Sequence, residues 1–165
     1  MNYTLNKNEL FTSLLFIVFL FIGCNSFFKG TMKDNGKQFP PDFGKIQTTI
    51  LVVQAERKSY DKYLIRNWKT YYTGDYVFVK REELNQKMYE DIKKYRYIFD
   101  DEENSHTSRN ISTGRNQTVT GVSFYLMDRQ DGKHYSINVE SGLWSKLMKA
   151  YLQKLDEIRK KNSTN

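Results

Sequence analysis

Ile46-Gln47-Thr48-Thr49-Ile50-Leu51-Val52-Val53-Gln54 is the stretch on which the fold turns. It is β-branched and apolar without a polar face, which reads as a strand buried on both sides. Such a strand sits inside a sheet, so its neighbours in the chain must supply cover for both faces. Residues 59–72 meet that need on one side: Ser59 stands where a helix cap belongs, and Tyr60, Tyr63, Leu64, Trp68, Tyr71 and Tyr72 share one helical face. Gly74 stops this helix, and Asp75-Tyr-Val-Phe-Val-Lys80 predicts a second strand. Glu82 and Glu83 then open a predicted helix to Lys94, with Leu84, Met88 and Ile92 as its apolar stripe. Tyr95–Phe99 reads as a third strand.

Residues 100–117 are polar, acidic first and then rich in Ser, Thr, Asn, Arg and Gly, and predict a long functional or mobile loop. Two alternating runs follow, residues 118–128 and 133–139, joined across Asp131-Gly132, a hairpin signal. A helix over about residues 141–161 closes the chain. Its apolar face carries Leu143, Trp144, Leu147, Met148, Tyr151, Leu152, Leu155 and Ile158, and lysines and arginines cover its outer face. The expected fold class is α/β: a mixed, mostly parallel sheet of about five strands in the order β-α-β-α-β, a β hairpin and a final α, with helices packed on it.

Ahead of this domain the texture differs. Residues 10–22 are apolar and uncharged. As a helix they would reach about 20 Å, short of the roughly 30 Å hydrocarbon core of a bilayer. They suit the h-region of a signal peptide instead. Phe21-Ile22-Gly23-Cys24 ends this run with a small residue before the chain's single cysteine. The motif resembles the lipobox of bacterial lipoproteins. That resemblance implies cleavage before Cys24, acylation of its thiol and new amine, and a domain held outside the cytoplasm on the cell membrane or outer membrane. The expected division is a signal peptide over 1–23, a flexible tether over 24–44 rich in Gly, Pro and Lys, and one α/β domain over 45–165.

Composition narrows the chemistry. With 39% hydrophobic and 15% aromatic residues the chain is neither disordered nor fibrous. One cysteine excludes an internal disulfide, a Cys-x-x-Cys redox pair and a Cys-rich zinc site. Neither a Gly-x-Ser-x-Gly elbow nor a Gly-x-Gly-x-x-Gly turn is present, so no nucleotide cofactor and no familiar nucleophile is expected. A net charge of +7 would suit nucleic acid, but an exported protein has little access to it. Anionic lipid headgroups or an acidic polymer are the better match.

Four residues make a candidate ligand loop. Asp100 and Asp101, followed by Glu102 and Glu103, stand at a strand end, where α/β folds place ligands and hard cations find oxygens. Arg109 and Arg115 could hold a phosphate or carboxylate. His106 and His134 are candidates to pair with the acids. A solvated acidic loop is the plainer reading, and no catalytic or metal-binding residue is assigned.

Tyr76-Val-Phe-Val-Lys-Arg-Glu-Glu-Leu84, Tyr95-Arg-Tyr-Ile-Phe99, the Asp131-Gly132 turn and the closing helix follow one another. This order is similar to a family of envelope lipoprotein domains: the activators of penicillin-binding proteins, the curli-secretion lipoprotein and the amino-terminal domain of TolB. Asp100-Asp101 stands where that family usually has glycine, and no functional residue carries over. The expected function is therefore non-catalytic binding of another envelope component, with Cys24 as the membrane anchor. The alternative is a lipoprotein that binds a small ligand or polysaccharide through exposed tyrosines and the 100–117 loop; a hydrolase ranks third.

Overall fold

The computed structural model describes residues 28, 30–33, 36–109 and 114–164. The signal-peptide segment, Cys24 and the first part of the expected tether lie outside them. Strand β1, Ile50–Gln54, is central, with β2 (Tyr76–Lys80) and β3 (Tyr97–Arg109) parallel to it on either side. Ile50 to Val53 are all essentially inaccessible to solvent, as the unbroken apolar run requires. The strand starts four residues later than expected, and Ile46 is 66% exposed.

β3 pairs antiparallel with β4 (Asn116–Asp128), and β4 with the short β5 (His134–Ser136), giving the sheet order β2-β1-β3-β4-β5. The sheet is mixed, as expected, but most of its paired residues are antiparallel, which corrects the mostly parallel expectation. The reason lies in residues 100–109 and 116–117, which are strand and not loop. Asp100 to Arg109 continue β3, and the hairpin projects well past β1 as a two-stranded arm. One face carries hydroxyl pairs, Ser105 with Thr120 and Thr107 with Thr118, each 3.0 Å apart. β-branched threonines pair well across strands, yet residues 100–109 are polar throughout and show no alternation.

Helix α1, Lys58–Tyr71, buries Tyr60, Leu64, Asn67 and Trp68. Helix α2, Trp144–Ser163, lies beside it on the same face of the sheet, and Asn67 Nδ2 donates to the Ser145 carbonyl at 3.1 Å to join the two. Under them Phe99 packs on Trp68, Phe124 and Tyr151 at ring separations of 5.1 to 5.6 Å. The opposite face carries Leu51, Val53, Val79 and Ile98. Its cover is not the expected helix over 82–94 but two 3-10 turns, Arg81–Asn85 and Lys87–Tyr89, parted by Gln86 in an extended conformation. The predicted stripe fails because Met88 and Ile92 stay 63% and 40% exposed while Tyr89 supplies the buried anchor. Arg129 Nη1 holds this segment by donating to the Tyr89 and Tyr95 carbonyls at 2.7 and 2.8 Å.

The later part of the expected tether is also packed. Phe39 stacks on Tyr151 at 5.1 Å, Phe43 meets Tyr97 edge-on at 5.2 Å, and both are buried. Asp42 accepts from Arg96 at 2.7 Å. The domain therefore begins ahead of residue 45, because two phenylalanines buried at about 2 kcal/mol each outweigh the local preference of a Gly- and Pro-containing stretch for loop.

Candidate binding crevice

The chain leaves β1 through Ala55-Glu56 toward α1 on one face of the sheet. It leaves β2 through Arg81 toward the 3-10 turns on the other. Adjacent parallel strands whose connections depart to opposite faces open a crevice beyond their carboxyl ends, where α/β sheets bind ligands. Here it is a cavity of about 540 Å³ lined by Glu56, Arg57, Arg81, Glu82, Asp101 and Glu103, among others.

Glu56 adopts φ +57°, the one positive φ at a non-glycine among the described residues. The left-handed conformation costs roughly 1–2 kcal/mol, and it turns the backbone sharply from the strand into α1. Its carboxylate receives Lys80 Nζ at 3.2 Å. Arg57, the next residue, spreads its guanidinium between Asp101, at 2.8 Å, and Glu103, and lies 4.6 Å over the Tyr60 ring. Partial burial works against the cation, but the two carboxylates prevail and hold the Arg57 pKa above its ordinary value.

Asp100 and Asp101, neighbours on β3, point to opposite faces. Asp101 meets Arg57. Asp100 is buried on the other side, accepting from Arg81 Nη2 at 2.8 and 3.0 Å, from Tyr125 Oη at 3.3 Å and from the Asp101 amide at 2.9 Å. Burial pushes the Asp100 carboxyl up, with the Asp101 amide and Arg81 only partly offsetting it. Tyr125 is itself pushed up to about 12, by burial and then by the Asp100 charge.

A second recess of about 330 Å³ shares Arg57 and Glu103 with the crevice and is lined by Tyr60, Val122 and Trp144. Trp144 packs on Tyr60 at 4.9 Å and on Tyr63 at 5.6 Å. Tyr60 is 4% exposed, and its hydroxyl lies near Asp101 without reaching hydrogen-bond geometry with any group. Desolvation raises its pKa well beyond the normal tyrosine range. The hydroxyl is closed to solvent, so it is the Tyr60 and Trp144 rings that wall the recess.

No family model, curated protein or solved structure matches this chain. The reading of the site therefore rests on its own geometry.

That geometry separates the residues expected to act together. Arg109 ends β3 and Arg115 precedes β4, both at the tip of the arm. Nine strand steps at about 3.3 Å put them roughly 30 Å from Asp100. His106 lies along the arm, 3.4 Å from Glu140. His134 stacks on Tyr125 at 4.7 Å and is linked to Asp100 through that ring. Of the tyrosines whose exposure would mark a sugar-binding patch, Tyr60, Tyr72 and Tyr151 are buried, while Tyr63 and Tyr71 are half-buried. Sequence reasoning passed over Glu56, Arg57 and Arg81; the signal was the abrupt change from an apolar strand to Glu-Arg-Lys at 56–58. Among the described residues no group of three or more His, Cys, Asp or Glu is placed to hold a metal ion, and no helix is long and apolar enough to cross a membrane.

Proposed function

We propose that this chain is an exported bacterial lipoprotein, anchored through acylated Cys24, whose α/β domain binds a charged component of the cell envelope without catalysis. The anchor reading is supported by Phe21-Ile22-Gly23-Cys24 at the end of an apolar run. The binding reading is carried by the Arg57 fork, set between Asp101 and Glu103 at a topological switch point. Arg57 and Glu103 are 42% and 45% exposed, and a pair so open to water contributes only about 0–1 kcal/mol, while Asp101 at 7% holds the other arm of the fork in place. A partner carrying both signs of charge can exchange its own groups for these at little cost. The β-α-β opening, hairpin and closing helix also accord with the envelope lipoprotein domains that the sequence resembles.

The test is a photoreactive residue at Glu82, beside Arg57, in the producing bacterium. One discrete cross-linked envelope protein is expected, lost when Arg57→Ala is added to a chain that still folds. An adduct indifferent to Arg57, or none at all, rejects the crevice as the binding site.

One observation favours a second reading, a polysaccharide or small polar ligand: the Tyr60–Trp144 recess with Arg57 and Glu103 at its side. Aromatic walls beside hydrogen-bonding groups suit sugar rings. Saturable quenching of tryptophan fluorescence by envelope glycan fragments, removed in Trp144→Phe, would select it. A flat titration would reject it.

A further inference from the structure

The chain begins to pack remarkably soon after the proposed anchor, and this bears on how the domain is held. Phe28 and Met32 are 7% and 5% exposed and belong to the core cluster that contains Tyr151, Leu155 and Phe124. Phe39 and Phe43 extend the same packing. Phe28 follows Cys24 by four residues, and fully extended chain spans at most about 3.6 Å per residue, so the two cannot lie more than about 14 Å apart. A free twenty-residue tether would instead allow a typical excursion of about 25 Å.

We propose that acylated Cys24 docks the face carrying Phe28 to Met32 directly onto an anionic bilayer surface. The inference rests on the lipoprotein reading above. Lys33 and Lys37 are exposed on this segment and carry the charge that anionic headgroups attract, and the chain as a whole is at +7. The sheet face under the 3-10 turns belongs to a separate apolar cluster from the one in which Phe28 and Met32 pack, so the proposal sets it away from the lipid.

Acylation consumes the single native thiol, so one introduced cysteine takes a label cleanly. Gly30→Cys places its Cβ in open space between Phe28 and Met32, and Met88→Cys lies on the opposite face at a site 63% exposed. Full-length protein is purified from bacterial membranes, weighed intact, labelled with a donor dye and reconstituted into phosphatidylethanolamine–phosphatidylglycerol vesicles bearing a headgroup acceptor. Energy transfer from position 30 is expected to exceed that from position 88 several-fold. A Gly/Ser spacer inserted after Asn25 should lower it toward the position-88 value. Thr31→Cys, uncharged and half-buried on the same segment, repeats the reading if Gly30→Cys fails to fold. Equal, weak transfer from both faces of a chain whose mass shows acylation overturns the docking alone. A mass without acyl groups overturns the anchor reading and the docking with it.

Discussion

The two ends of the β1–β2 pair carry similar groups put to different use. At the carboxyl end Asp101 meets Arg57 in the wall of an open cavity, and Asp100, buried on the opposite face of β3, meets Arg81. At the other end Asp156 of α2, its side chain 9% exposed, gathers the Thr73 amide and hydroxyl at 3.0 and 2.9 Å, Arg159 at 3.1 Å and Lys160 at 2.6 Å. Burial opposes ionisation of both buried acids. At Asp156 the donors from Lys160, Thr73 and Arg159 more than offset it and the pKa falls to about 2; at Asp100 they do not, and the pKa rises. Asp156 is thus a bolt between α2 and the end of α1, whereas Asp100 is a buried acid held by one largely exposed arginine and the Tyr125 hydroxyl.

Removing the bolt should have the largest effect. Asp156→Ala strands the Thr73 donors and two cations, and urea unfolding should show a loss of roughly 2 kcal/mol. A loss below that of the crevice variants would erase the contrast. Acid tests the same point without mutation. The folded pKa of Asp156 lies below the unfolded value, so its contribution is complete above the ordinary carboxylate range and disappears as the pH falls from about 4 toward 2. Asp100 has the opposite sign: its folded pKa is raised, so its ionisation detracts from stability as the pH climbs through that range. Thermal midpoints of the wild type should therefore drop between about pH 4 and pH 2, and drop less in Asp156→Asn; equal slopes would reject the assignment.

Asp100→Asn relieves a buried charge while keeping the shape, and its only cation, Arg81, is 64% exposed. The expected change is under about 1 kcal/mol in either direction. A loss matching Asp156→Ala would make Asp100 structural. The smallest effect is expected at Glu56→Gly. Release of the +57° conformation outweighs the added freedom of the unfolded chain and an exposed pair with Lys80, leaving a gain of about 0.5 kcal/mol. A measured loss would mean that the Glu56 side chain holds the crevice together.

Much of this was legible before any coordinates. Ile50 to Val53 announced a central strand, the spacing of Tyr60, Leu64 and Trp68 a helix lying on it, and Leu147, Tyr151, Leu155 and Ile158 the closing helix, because burial selects apolar residues at the period of the element. The first strand of the hairpin arm escaped because residues 100–109 are polar on both faces and leave no alternation to read, while Ser105 and Thr107 pair with Thr120 and Thr118 through hydroxyls. The missing middle helix escaped for a related reason. Three apolar residues at i, i+4 and i+8 suggest a stripe, but only tertiary packing decides whether a surface exists to receive it, and here Tyr89 took the place of Met88.

The crevice divides the same way. Local sequence marked Asp100 and Asp101 as standing at a strand end, but they lie within β3 and only level with the end of β1. That Arg57 and Arg81 come to meet them, while Arg109 and Arg115 are carried about 30 Å off along the arm, depends on strand order and on the lengths of β3 and β4. Strand order is set by which apolar faces can be covered at once, a balance over the whole chain that no window of sequence contains. What the sequence determined by itself was local: the apolar run ending in Gly23-Cys24, the buried central strand and the two amphipathic helices. What the tertiary structure decided was which distant charges meet, and how soon after Cys24 the chain is drawn into the core.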